Sequence, residues 1–74
     1  MNDRKIELLN AAKLRYLSNI KQAEAELEVY LEGSIILDKK INISEEIDKL
    51  VIKITDNKNM LETLVSKYKI SSET

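Results

Sequence analysis

The chain of 74 residues contains no Cys, His, Pro, Trp or Phe, and only one Gly. Without Cys and His there is no thiol nucleophile, disulfide framework, zinc finger or imidazole base. Without Pro, and with Gly33 alone, neither a collagenous repeat nor a glycine-rich phosphate loop can form. No apolar run approaches the ~20 residues of a membrane span. The first residues, Met1-Asn2-Asp3-Arg4-Lys5, lack the apolar core of a signal peptide, so a cytoplasmic location is expected.

What is present is 43% apolar and 34% charged residues, with a formal net charge of -1. A single chain this short buries only about 60% of its unfolded surface and needs a staple. Disulfides are impossible, and an all-oxygen metal site seldom supports a small fold. Oligomerisation is the remaining remedy.

Hydrophobic spacing predicts two long helices. Over residues 3–32, Ile6, Leu9, Tyr16, Ile20, Ala23, Leu27 and Tyr30 recur at three- and four-residue intervals, interrupted by Lys13. Asn2 or Asp3 can cap the start, and Gly33 sits where a left-handed C-terminal cap is expected. Over residues 44–69, Ile47, Leu50, Val51, Ile54, Leu61, Leu64, Val65 and Tyr68 share a face; Asn42 with Glu45 fits a capping box, and Ser44 is a competing cap. Thr55-Asp56-Asn57-Lys58-Asn59 is poor in helix formers and Asp56 could cap a separate third helix, yet the apolar phase carries through it and favours one continuous helix. The connector, residues 33–43, is unusually apolar. It can cover the end of the core, form a short β-prone edge, or let the first helix run on to Asp38. The last residues, from Ser71 to Thr74, are expected to fray. The expected architecture is therefore all-α, a single domain formed by a long antiparallel, coiled-coil-like helical hairpin.

A hairpin leaves one face of each helix uncovered. On the first helix that face carries a second stripe, Ala11, Leu14, Ser18, Ala25 and Val29, small enough for another helix to approach closely. Charge points the same way. Residues 1–22 sum to +3, residues 23–38 to -5 and the rest to +1. Within one helix this order opposes the macrodipole, at a few tenths of a kcal/mol per exposed charge. Two copies packed antiparallel would set each basic half against an acidic half. A homodimeric four-helix bundle is the expected assembly, with Ala11, Leu14, Ser18, Ala25 and Val29 at the oligomer interface.

Chemistry has few candidates. Glu45 and Asp48, one turn apart, could hold a divalent cation or serve as acid and base, but acids at a helix start ordinarily satisfy its dipole. One local pattern is of interest. Ser44-Glu45-Glu46-Ile47-Asp48, opening the second helix, resembles the Ser-Gln-Glu-Leu-Asp signature of the small helical-hairpin aspartyl-phosphate phosphatases that control sporulation. The resemblance covers five residues, with Glu45 in place of Gln and Ile47 in place of Leu. It implies an alternative function, a regulator acting on a response regulator's phosphorylated Asp, with Asp48 as the active residue.

Nucleic acid is a poor partner for a slightly acidic chain whose lysines are interspersed with acids and whose Tyr16, Tyr30 and Tyr68 lie on core stripes. An anionic membrane surface would repel residues Glu24 to Glu32. The preferred reading is a non-enzymatic protein without a cofactor or metal, which self-associates and binds another protein. The candidate partner surfaces are Ile35, Ile36 and Leu37 in the connector and the acidic Glu24, Glu26, Glu28 and Glu32. Ten lysines against two arginines, with abundant Ile and Asn, fit an AT-rich genome. An accessory factor of a phage or mobile element, inhibiting or scaffolding a host or viral protein, fits that composition.

Overall fold

The computed structural model describes residues 3–33 and 42–71. It contains two helices, α1 (Asp3–Glu32) and α2 (Ile43–Tyr68), packed closely along their lengths as a helical hairpin. Their antiparallel course follows from the contacts between them. Asn19 in the middle of α1 meets Asn57 in the middle of α2, and Lys5 near the start of α1 meets Tyr68 at the end of α2. The chain measures 54 × 17 × 16 Å. Neither helix is long and apolar enough to cross a membrane.

Local signals set the helix ends. Asn42 is the N-cap of α2, with an extended backbone, and its side-chain oxygen accepts the Glu45 amide at 3.1 Å. Gly33 closes α1 at φ 69°, a left-handed conformation that costs a residue without a Cβ nothing, and its amide donates to the Tyr30 carbonyl. Lys69 closes α2 in the same region at φ 55° without that advantage. α2 runs unbroken through Thr55–Asn59, because Asn57 turns inward and finds partners within the hairpin.

The core is thin. Ile20, Ala23 and Leu50 are the buried apolar residues among those described, and none of the large side chains is fully enclosed. Ala23 is completely covered, its small side chain lying within the α1–α2 seam. Beside this line lies a buried polar pair. Asn19 Nδ2 donates to Asn57 Oδ1 at 3.1 Å, and Asn57 Nδ2 donates to the Lys53 carbonyl at 2.7 Å. Asn57 is 5% exposed, and no buried side-chain nitrogen or oxygen among the described residues lacks a partner. A satisfied Asn in a helical seam disfavours slipped pairings, since any slip leaves it buried and unpaired.

Several residues expected inside are not. Tyr68, Val51 and Ile6 are 36%, 45% and 38% exposed. With only two helices the apolar stripe is half covered, and residues at its margins or near the open end have no third element over them. The connector alternatives, a possible cap at Asn2 and the expected fraying of residues 72–74 lie outside the described residues.

Candidate interaction surface

The side of α1 that faces away from α2 is left uncovered by the hairpin. Residues of α1 packed toward α2 include Leu9, Tyr16, Ile20, Ala23, Leu27 and Tyr30, all buried or half-buried. At about 100° per residue, Ala11, Leu14, Ser18, Ala25 and Val29 point to the opposite side. All five are exposed, Leu14 by 54% and Val29 by 37%. An open groove on this side is lined by Ala11, Leu14, Arg15, Ser18 and Asn19. Asn19 thus reaches the groove and the buried Asn57 at once, joining the outer surface to the seam.

The acidic candidates Glu24, Glu26, Glu28 and Glu32 are exposed on the last three turns of α1. The antiparallel course brings the start of α2 beside them, adding Glu45, Glu46 and Asp48. Counting the described residues only, the closed half of the hairpin (18–33 and 42–56) carries a net -5 and the open half (3–17 and 57–71) a net +4. At the open end the Lys5 and Lys67 ammonium groups each lie 5.5 Å from the Tyr68 ring centroid. The structure therefore places a positive pole and a negative pole at opposite ends.

Other candidates are less organised. Ile35, Ile36 and Leu37 lie outside the described residues. Asp48, Ser44 and Glu45 are exposed on α2, while Glu46 is half-buried and accepts a hydrogen bond from Lys49 Nζ at 3.2 Å. Among the described residues, no three acidic side chains converge to hold a metal ion.

Sequence reading missed the cationic setting of Tyr68. Its signal is non-local, since Lys5 and Tyr68 meet only once the hairpin register is known. The expectation that all three tyrosines are internal is corrected for Tyr68 by its exposure.

Fold and surface together define a two-helix antiparallel hairpin with an apolar outer face on one helix and opposite charges at its ends. No family model matches the chain, and no curated protein or solved structure matches it significantly.

Proposed function

We propose that the chain is a non-enzymatic helical module that self-associates through the outer face of α1 and binds another protein through its acidic end. The observation that carries this reading is the exposed stripe Ala11, Leu14, Ser18, Ala25 and Val29 on the side of α1 that α2 leaves uncovered.

Magnitudes support it. A compact protein of 8.5 kDa exposes roughly 4,700 Å², whereas this chain exposes 5825 Å². The excess of roughly 1,100 Å² is comparable to the ~800 Å² that one partner buries in a standard interface. An outer helix face joined to a second copy removes such an excess while shielding Leu14 and Val29. The same packing covers the thin seam from outside and turns two hairpins into a four-helix bundle.

The acidic end remains accessible to a further partner. Glu24 and Glu28 at the end of α1, with Glu45 and Asp48 at the start of α2, give this end an acidic character suited to a basic protein segment.

Sedimentation of the purified protein tests the first half of the reading. At micromolar concentration it should sediment as a dimer, and Leu14→Lys should shift it to monomer with its helicity retained. A well-folded monomer for the unsubstituted chain would remove the proposal's support. For the second half, replacing Glu24, Glu28 and Glu45 by Gln should abolish capture of the partner while leaving the dimer intact. Loss of function from Asp48→Asn alone would instead favour the phosphatase-like alternative.

A further inference from the structure

The outer face of α1 has an internal symmetry. Ala11 and Val29 are equidistant from residue 20, as are Ser18 and Gln22, and Leu14 and Ala25 are equidistant from the point between residues 19 and 20. The members of the outer pairs also project in the same direction. Ala11 and Val29 are eighteen residues apart, five whole turns at 3.6 residues per turn. Leu14 and Ala25 are eleven apart, close to three turns, and so are Arg15 and Glu26.

A two-fold axis perpendicular to a helix maps a residue at one distance from the axis onto its counterpart at the same distance, on the same side. It makes an isologous contact in which each residue pair occurs twice. This face is thus self-complementary when read backwards. We infer that two hairpins pair side by side and antiparallel through α1, with the two-fold axis passing close to residue 20. This rests on the self-association reading above and fixes its geometry. In that register Leu14 lies over Ala25 of the second copy, Ala11 over Val29, and Ser18 beside Gln22. Arg15 on the rim faces Glu26 of the second copy. The wide side chain of each apolar pair meets a small one, so the two helices can approach closely along the stripe.

Charge and size disfavour two other ways of pairing copies, parallel and end to end. A parallel pair would stack Glu24, Glu26, Glu28 and Glu32 against themselves and Arg4, Lys5 and Arg15 likewise. End-to-end contact would join the poles, but the cross-section of 17 × 16 Å offers roughly 270 Å², well short of the ~800 Å² per partner of a stable interface. It would also leave an open contact at each end and grow into a filament. Side-by-side antiparallel packing matches the poles along the full overlap and closes on itself.

The absence of Cys makes the test clean, because any introduced thiol is unique. Three variants are oxidised mildly at micromolar concentration: Leu14→Cys, Ala25→Cys and the double variant. With the axis near residue 20, position 14 and its own copy are roughly 17 Å apart along the helix at 1.5 Å per residue. Position 25 and its copy are about as far apart, beyond the ~7 Å Cα reach of a disulfide. Positions 14 and 25 of one chain are similarly separated, so an internal bond cannot form. The double variant should become a disulfide-linked dimer at least tenfold faster than either single variant.

Single variants crosslinking as fast as the double one would overturn the antiparallel arrangement. A sedimenting dimer in which the double variant fails to crosslink would overturn the register while leaving self-association standing. A monomer by sedimentation would remove the underlying reading itself. Charge exchange supplies an independent arm without thiols. Arg15→Glu should weaken the dimer severalfold, and Arg15→Glu combined with Glu26→Arg should restore it. Failure of the exchange to restore it would also count against the register.

Discussion

The two helices of this hairpin divide their labour unevenly. α2 concentrates its apolar residues toward α1, around Leu50, Ile54 and Leu61, while Val51, Ile52 and Met60 are exposed at its flanks and solvent side without repeating as a stripe. α1 has two apolar sides, one built around Ile20 and Ala23 against α2, and one built of Ala11, Leu14, Ala25 and Val29 that no other described residues cover. The difference shows which helix is the base of the structure and which is its cover. A helix needs one apolar stripe to be held, and a second stripe on the same helix implies a second surface to hold it.

The largest expected effect breaks the comparison if it fails to appear. Leu50→Ala on the covering helix should cost about 2–4 kcal/mol of stability, as for other truncations of buried leucines. For a chain with so thin a core, that loss should show as reduced helicity by circular dichroism at room temperature. Leu14→Ala on the outer face of α1 should leave helicity of the isolated hairpin unchanged. Equal losses of helicity for the two at low concentration would mean that the two sides of α1 are not distinct in kind.

Next comes the polar seam. Asn57→Ala removes the acceptor for Asn19 and the donor to the Lys53 carbonyl, at about 1–3 kcal/mol. Replacing both Asn19 and Asn57 by Leu should be neutral or stabilising in denaturant melts, because no polar group is then orphaned. The same double variant should give multiple sets of amide resonances, since the penalty on slipped registers has gone. A single sharp set would show that apolar packing alone fixes how α1 and α2 align.

Smaller effects sharpen the contrast at the helix ends. Asn42→Ala should cost about 1 kcal/mol, the usual worth of an N-cap side chain, read from the thermal midpoint. Lys49→Ala should change stability by less than about 0.5 kcal/mol, because the ion pair with Glu46 is solvated and the Lys49 side chain is 70% exposed.

The hairpin was legible in the sequence because its signals are local. Apolar spacing marked both helices, the single Gly marked the end of α1, and Asn42 followed by Glu45 marked the start of α2. The outer stripe was legible for the same reason, as a periodicity within one helix. Contacts set by the pairing register were harder to read. Asn57 sits in a stretch of poor helix formers, and its meeting with Asn19 across the seam depends on the register of the two helices. Lys5 lies sixty-three positions before Tyr68, and no local pattern announces that they are neighbours. The exposure of Val51 and Tyr68 was misread because periodicity gives the centre of a stripe and not how wide a partner covers it.

The separation of charge along the hairpin has a further consequence. At physiological salt, electrostatic influence decays over about 8 Å, while the molecule is 54 Å long. In the unpaired hairpin the two poles therefore do not cancel for a second copy that approaches them. A partner arriving at the closed end meets an anion, and one arriving at the open end meets a cation. Orientation is selected during the encounter, before any apolar contact forms, and the rate of that encounter should fall as salt is added. Isoelectric focusing would assign this chain a near-neutral, mildly acidic character, which is the charge of a particle that no binding partner ever meets.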